Sequence, residues 1–312
     1  MNTSLTSNTL TFTVYVGMGP VSYVILVVVL LVYIATVLAS ATVMLLIFLD
    51  TSLHKPMYTF LFGLVSNGLI GSTAVWPKTM NILSTNRPLI SYQGCLIQVF
   101  IISSYGACNY SLLTVMAYDR FVSIFRPLQY HTIITPWKVK QLMIVANVIP
   151  TALILVQIFM TSQLPQCRYN VHRTYCDNLA VVSLSCLESH TIQRRVGNLY
   201  GIIIIIVIVA LPILLILLSY VKIIVLSLKW SRDARKKVFE TCSPHIITFV
   251  NFSLVSLFSL FYNRYNSFLP GGVNILMSIN YILVPPLLHP ILYGIKTKEI
   301  RQRFSKLIRS KF

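Results

Sequence analysis

Acidic residues are scarce in this chain: seven Asp and Glu stand against 25 Lys and Arg in 312 residues. Charged residues of both signs make up only 10% of it, and no long polar stretch is present in which a separate soluble domain could build a core. Missing motifs remove further classes of chemistry. No glycine-rich phosphate loop, no His-Glu-x-x-His and no Cys-x-x-Cys pair occurs, and the short basic loops leave no room for an enzymatic or nucleotide-binding insert. Internal repeats are absent, as are the paired broken spans that mark secondary transporters. The first 21 residues lack a basic n-region, so a cleaved signal peptide is not expected.

What is abundant is apolar surface. With 56% apolar residues, the chain holds seven stretches long enough to cross a bilayer as helix, which takes roughly 20 residues. They are expected at Ser22–Leu49, Met57–Leu83, Tyr92–Ile124, Val139–Thr161, Val196–Leu228, Lys236–Tyr262 and Val273–Tyr293. The fold class that follows is all-α: a seven-transmembrane helix bundle filling 22–293, an outer tail over 1–21 and a cytoplasmic tail over 294–312.

The formal charge of +18 is spread in a telling way. With the N-terminus outside, 18 of the 25 Lys and Arg fall on the inner side and seven on the outer, which satisfies the positive-inside bias. The basic excess then faces anionic lipid and a cytoplasmic partner rather than nucleic acid, since no basic domain stands clear of the membrane. Asn2-Thr3-Ser4 is a glycosylation sequon on the expected outer side, whereas the matches at Asn109 and Asn251 lie within spans. Cys95 opens the third span, and Cys167, Cys176 and Cys186 fall in the long connection 162–195, all on the expected oxidising side. Four such cysteines read as two disulfides with three possible pairings, among which spacing does not choose. Cys108 and Cys242 lie in or beside the membrane and read as free, small apolar residues.

Two features point to mechanism. Asp119-Arg120 sits at the inner end of the third span, where charges are expensive unless paired or working. Held together in one state and separated in another, the pair makes a switch. After Tyr293, Ile300, Phe304, Leu307 and Ile308 recur at helical spacing among Lys and Arg, as in a short amphipathic C-terminal helix lying on the inner leaflet.

Five segments carry a family resemblance: Leu53-His54-Lys55-Pro56-Met57-Tyr58, Met116-Ala117-Tyr118-Asp119-Arg120-Phe121, Ser219-Tyr220, Thr241-Cys242-Ser243-Pro244-His245 and Pro290-Ile291-Leu292-Tyr293. Together they resemble the odorant receptors, a branch of the rhodopsin-like G-protein-coupled receptors, over essentially the whole chain. Asn67-Gly68-Leu69 and the Phe-Ile-rich spans are more similar to the fish type. The resemblance implies a receptor in the plasma membrane of sensory cilia that takes a small-molecule odorant and activates a stimulatory, cyclic-AMP-raising heterotrimeric G protein. It also implies disulfides Cys95–Cys176 and Cys167–Cys186. In the switch it implies, Tyr220 and Tyr293 receive Arg120 once the sixth span swings out, while Pro212 and Pro290 weaken their helices.

The resemblance further implies where a ligand sits, in the outer half of the bundle. Its walls would be Ile102, Ser103, Gly106, Ala107 and Tyr110 of span three, Ile202, Ile205 and Ile206 of span five, Ser253, Ser256, Leu257 and Leu260 of span six, and Ile275, Ser278, Ile279 and Ile282 of span seven. Ile102 stands where amine receptors carry an aspartate, and Leu283 where visual pigments carry the chromophore lysine, so neither an amine nor covalent retinal suits this site. A neutral or weakly polar ligand does, with Arg173, Arg194, Arg195 and Arg264 available outside to steer an anion. Three polar positions of the mid-membrane network differ from relatives: Ser40 for asparagine, Gly68 for the acidic residue and His289 for the asparagine before Pro290. Without a carboxylate at Gly68, no sodium site of the usual kind is expected, and His289 is expected to fill the space and bond Ser40 or backbone. No cofactor and no metal site is expected. The rival reading is a channel or transporter, which scattered Ser, Thr and Asn would suit but which lacks a charged ring or relay at mid-membrane depth.

Overall fold

A computed structural model describes the backbone of residues 9–186, 192–264, 271–296 and 299–303, with side chains over 9–186, 192–260, 280–294 and 299–303. In lipid a backbone must satisfy its own polar groups, and helices do so within one segment. The chain forms α1 (Val21–Leu49), α2 (Pro56–Thr73) continued by α3 (Trp76–Thr85), α4 (Tyr92–Phe125), a short α5 (Tyr130–Ile133) and α6 (Pro136–Ser162). After α7 (Asn178–Ser183) come α8 (Ile192–Ile205), a π-helical stretch (Ile206–Ala210), α9 (Leu211–Ser227), α10 (Arg232–Arg264) and α11 (Gly271–Lys296). Among the described residues six helical spans are long and apolar enough to cross a membrane, and the 26-residue α11 completes the seven-helix bundle. α4 is its axle, packed against α2, α6 and α9.

Helix starts follow local chemistry. The Ser91 hydroxyl accepts from Gly94 N at 3.1 Å to cap α4, and Thr135 does the same for Lys138 N at 3.2 Å with Pro136 opening α6. The second span is not one helix, as its sequence suggests, but α2 and α3 joined at Ala74–Val75. Pro77 has no N–H to donate back along the helix and its ring crowds the preceding turn. Gln98 of α4 repairs the break: its Nε2 donates to Ala74 O at 3.1 Å, while its Oε1 accepts from Cys176 N at 2.8 Å. Pro212 has a similar effect in the fifth span, where the π-helical stretch precedes it.

One end of the bundle, the lid end, carries the long connection between α6 and α8. Cys95–Cys176 and Cys167–Cys186 are bonded, with Cα atoms 5.4 and 4.9 Å apart, and Cys108 and Cys242 are free and buried. The first residues are not a plain tail. Thr9–Phe12 forms β1 between β2 (Leu89–Ser91) and β3 (Asn170–Val171), antiparallel to the first and parallel to the second. Alternation puts Leu10 and Phe12 fully inside, packed with Cys95, Val99, Val171 and Cys176. Gly17 and Gly19, at φ +77° and +54°, make the left-handed turn from this strand into α1. The Asn2 sequon lies outside the described residues.

The opposite, basic end holds α5 and residues 299–303, which are helical. Ile300 is buried in the core there, and Arg303 Nε reaches Asp50 Oδ2 at 3.0 Å. Phe304, Leu307 and Ile308 of the expected amphipathic face lie outside the described residues.

Candidate functional site

At the basic end of α4, Asp119 is buried and Arg120 half-buried. Their closest charged atoms are 3.8 Å apart, an ion pair too long to be a hydrogen bond. The close partner of Asp119 is instead Tyr130 of α5, whose hydroxyl donates to Oδ1 at 2.6 Å. Sequence reasoning missed Tyr130; its only signal was a tyrosine just past Pro127 in the loop that follows the charged pair. Arg120 touches the Met57 sulfur of α2. Across the bundle the Tyr220 hydroxyl of α9 is hydrogen-bonded to Nδ1 of His245 in α10, so the tyrosine expected to receive Arg120 is engaged elsewhere in this state. Tyr293 of α11 is fully buried in the same cluster, and Pro290 lies within α11 one turn before it. Outside the spans, burial raises the Tyr130 phenol above its usual range, and the hydrogen bond to Asp119 adds to that.

The altered polar network is arranged differently from expectation. A Cβ on Gly68 would sit 3.3 Å from Pro286 Cα, so Pro286, not His289, occupies the space beside this glycine. His289 and Ser40 are both buried, yet neither imidazole nitrogen nor the Ser40 hydroxyl has a hydrogen-bond partner among the described residues. The expected His289–Ser40 or backbone bond is therefore corrected. Two prolines in succession, Pro285 and Pro286, put a ring where a longer side chain was supposed to reach.

The expected ligand walls divide. Tyr110 and Ser256 are brought together at 2.5 Å, with Tyr110 edge-on to Phe252 at 4.9 Å. Ser253 is buried, and Ser103, Leu257 and Leu260 are half-buried. Gly106 faces Tyr281, whose hydroxyl would lie 2.6 Å from an added Cβ. Ala107 turns instead toward Ile154, Ile158, Ile204 and Ile208. Ile202, Ile205 and Ile206 are exposed on the bundle's outside, at 56%, 45% and 55%, and their expected place on the wall is corrected: Ile204 and Ile208 point inward. The run Ile202–Ile206 is apolar on every side, so no periodicity marks the inner face, and the π turn resets the helix phase. Ile102 and Ile282 pack together in a separate cluster. The side chains of Ile275, Ser278 and Ile279, and of Arg264, lie outside the described residues. Arg173 Nε lies 4.0 Å from Asp177 Oδ2, while Arg194 and Arg195 stand in the first turn of α8.

A small cavity of about 20 Å³ opens beside this wall, not within it. Tyr15 and Met18 of the N-terminal segment and Thr174 and Tyr175 of the lid border it on one side. Ile25 and Val29 of α1, Val75, Trp76 and Thr79 at the α2–α3 break, and Ile282 of α11 complete it. The Tyr15 hydroxyl donates to Thr174 O at 2.7 Å, and burial pushes this phenol up to about 12, so it stays a neutral donor. Of the expected wall residues whose side chains are described, only Ile282 borders this space.

A family model described as olfactory receptor matches residues 29–311. The chain belongs to the olfactory receptor family. Human olfactory receptor 51E1 is 37% identical to this receptor over 280 residues, 88% of this chain and 85% of its own. Human olfactory receptors 52A5 and 52D1 are 34% and 35% identical over 282 and 280 residues, each match covering 88% of this chain and 86% of the relative. The family is one of odorant-sensing G-protein-coupled receptors, not enzymes, and this receptor is a multi-pass plasma membrane protein.

Proposed function

We propose that this receptor binds a small, neutral or weakly polar odorant in the lid half of the bundle and activates a stimulatory heterotrimeric G protein, raising cyclic AMP. The lid and N-terminus face outward, the basic end meets the G protein, and the receptor resides in the sensory cilia of olfactory neurons. The reading is carried by the Asp119 carboxylate: it binds Tyr130 at 2.6 Å and leaves Arg120 at 3.8 Å. A guanidinium held so loosely, next to a Tyr220–His245 contact joining α9 to α10, is released when α10 moves outward and then meets the partner's helix. For the ligand wall the reading keeps Ser103, Gly106, Tyr110, Ser253, Ser256, Leu257 and Leu260, with Ile275, Ser278 and Ile279 from α11. Hydroxyls among apolar groups suit a neutral molecule bound mainly by apolar burial.

The test is Arg120→Ala in cells lacking other odorant receptors, with surface receptor counted by an N-terminal tag and cyclic AMP read against a panel of neutral and acidic odorants. Odorant-evoked cyclic AMP should vanish at equal surface density. An intact response would overturn the switch, and a response only through an inhibitory G protein would overturn the stimulatory assignment. Arg194→Gln with Arg195→Gln asks whether the outer arginines steer anions: unchanged responses to acidic odorants would remove that role.

A further inference from the structure

We propose that the outward face of α9 and α10 at the basic end is a binding site for a membrane phospholipid whose headgroup carries several phosphates, a phosphoinositide. Lys222, Lys229, Arg232 and Lys236 form it, with Trp230 between them. The site meets the inner leaflet, where anionic lipids gather, only in the orientation proposed above.

Helix phase puts these cations on the side of the bundle that faces lipid. In α10 Cys242, His245, Phe249 and Phe252 are buried, while Ile247, Val250 and Leu254 are exposed. Steps of three and four back along that exposed side pass through Ser243 to Phe239, Lys236 and Arg232, the last three all exposed. In α9 Tyr220 and Ile223 are buried, while Leu218, Val221, Val225 and Leu228 are exposed. Lys222 stands among those four and Lys229 follows two turns on, both exposed. α9 ends at Ser227 and α10 begins at Arg232, so a short turn brings the two sets together. The face lies on the side of α9 away from Tyr220 and shares no side chain with the Tyr220–His245 contact.

Charge sets the class of ligand. Lys222 has exposed apolar neighbours on both sides along its helix, so its stem must run past them and its ammonium reaches the headgroups, where a phosphate is the counter-charge at hand. None of the four cations takes part in an ion pair among the described residues. Between 222 and 240 six Lys and Arg stand against two acids, Asp233 and Glu240, so the chain does not balance this end from within. Phosphatidylserine brings one net negative charge, which leaves most of the cluster unanswered. Phosphates around one inositol ring meet several cations together, the lysines as point charges and Arg232 as a two-donor fork. Trp230 is half-buried in the turn, an indole at the boundary where such rings settle.

The experiment uses full-length receptor in neutral detergent micelles, with phosphatidylinositol bisphosphate as probe and native mass spectrometry to count bound lipids. Binding is read there without a membrane orientation or a G protein, so loss of lipid binding and loss of cyclic AMP signalling are separate results. One phosphatidylinositol bisphosphate should bind saturably and well ahead of phosphatidylserine. Its affinity should fall by about 25-fold in Lys222→Gln with Lys229→Gln, about fivefold for each charge removed, and should be kept in Lys222→Arg. Lys138→Gln with Lys140→Gln takes the same charge from exposed positions at the start of α6 and should change the affinity little. Thermal unfolding without lipid should match wild type in every variant. Equal affinity for phosphatidylserine, equal loss in the α6 pair, or no loss in the α9 pair would each overturn the proposal. So would free inositol trisphosphate binding as tightly as the lipid, or a receptor dimer that forms without lipid and is lost in the α9 pair.

Discussion

At the lid end the receptor is tied by covalent and backbone bonds: two disulfides, a three-stranded sheet and a glutamine bridging the α2–α3 break to the lid. At the basic end the ties are side-chain contacts that can be exchanged: a 3.8 Å ion pair, a tyrosine on a carboxylate and a tyrosine on a histidine. The difference teaches how one bundle can cradle a ligand and still change shape. Covalent and strand bonds make the lid end one piece, so a small molecule meets a formed surface. Exchangeable polar contacts give the other end a second set of neighbours at modest cost.

If that contrast is right, mutations at the two ends fail differently. The largest effect belongs to Cys176→Ser, which opens a loop of sequence separation 81 and should cost about 4 kcal/mol on chain-entropy grounds. Folded receptor at the surface should drop steeply, with thermal unfolding of the remainder at much lower temperature. Next comes Gly71→Ala in α2, where an added Cβ would lie 2.5 Å from the Tyr105 ring. A ring packed against Phe252 and Tyr281 has little room to yield, so the cost is about 1–3 kcal/mol, again read as lowered thermal stability.

Tyr130→Phe should change output as well as stability. Removing the hydrogen bond to Asp119, worth roughly 1.5–3 kcal/mol to a charged acceptor, frees the carboxylate and loosens the resting arrangement. Basal cyclic AMP should rise severalfold, alongside a fall in thermal stability comparable to that of Gly71→Ala; a destabilised receptor with unchanged basal output would erase the contrast between the ends. The smallest effect is expected at Asp50, whose carboxyl is held below its usual range first by the Ser52 bonds and then by Arg303. A lowered value means the contribution is present above the unfolded carboxylate range and is lost as pH falls through the folded value. The protection of the Ile300 amide against hydrogen exchange, taken relative to the intrinsic rate at each pH, should therefore stay constant near neutrality and fall only in acid, and Asp50→Asn should lower it slightly near neutrality.

Much of this arrangement was legible beforehand, for reasons that differ by residue. Span count followed from apolar length, because crossing a bilayer demands it, and Asp119-Arg120 was conspicuous because charge is rare among such residues. The disulfide pairing came from resemblance, since four cysteines alone permit three. What escaped were contacts between distant segments. β1 was unreadable because Thr9–Phe12 is a strand only beside Leu89–Ser91 and Asn170–Val171. Tyr130 looked like one loop tyrosine among others until α5 set it on Asp119. The small cavity joins four separated pieces of chain, and the place of Trp76 in its wall depends on how Pro77 bends the second span.

By itself the sequence determined that this chain lives in a membrane, how many times it crosses, and where its one charged pair at the end of α4 would lie. Those are properties of local composition, which hydration reads residue by residue. Tertiary structure alone decided which isoleucines of α8 look inward, that Pro286 rather than His289 stands beside Gly68, and that the N-terminal strand closes the lid. In lipid a helix is apolar on all sides, so the hydrophobic effect cannot choose its inner face; close packing and the pairing of buried polar groups make that choice.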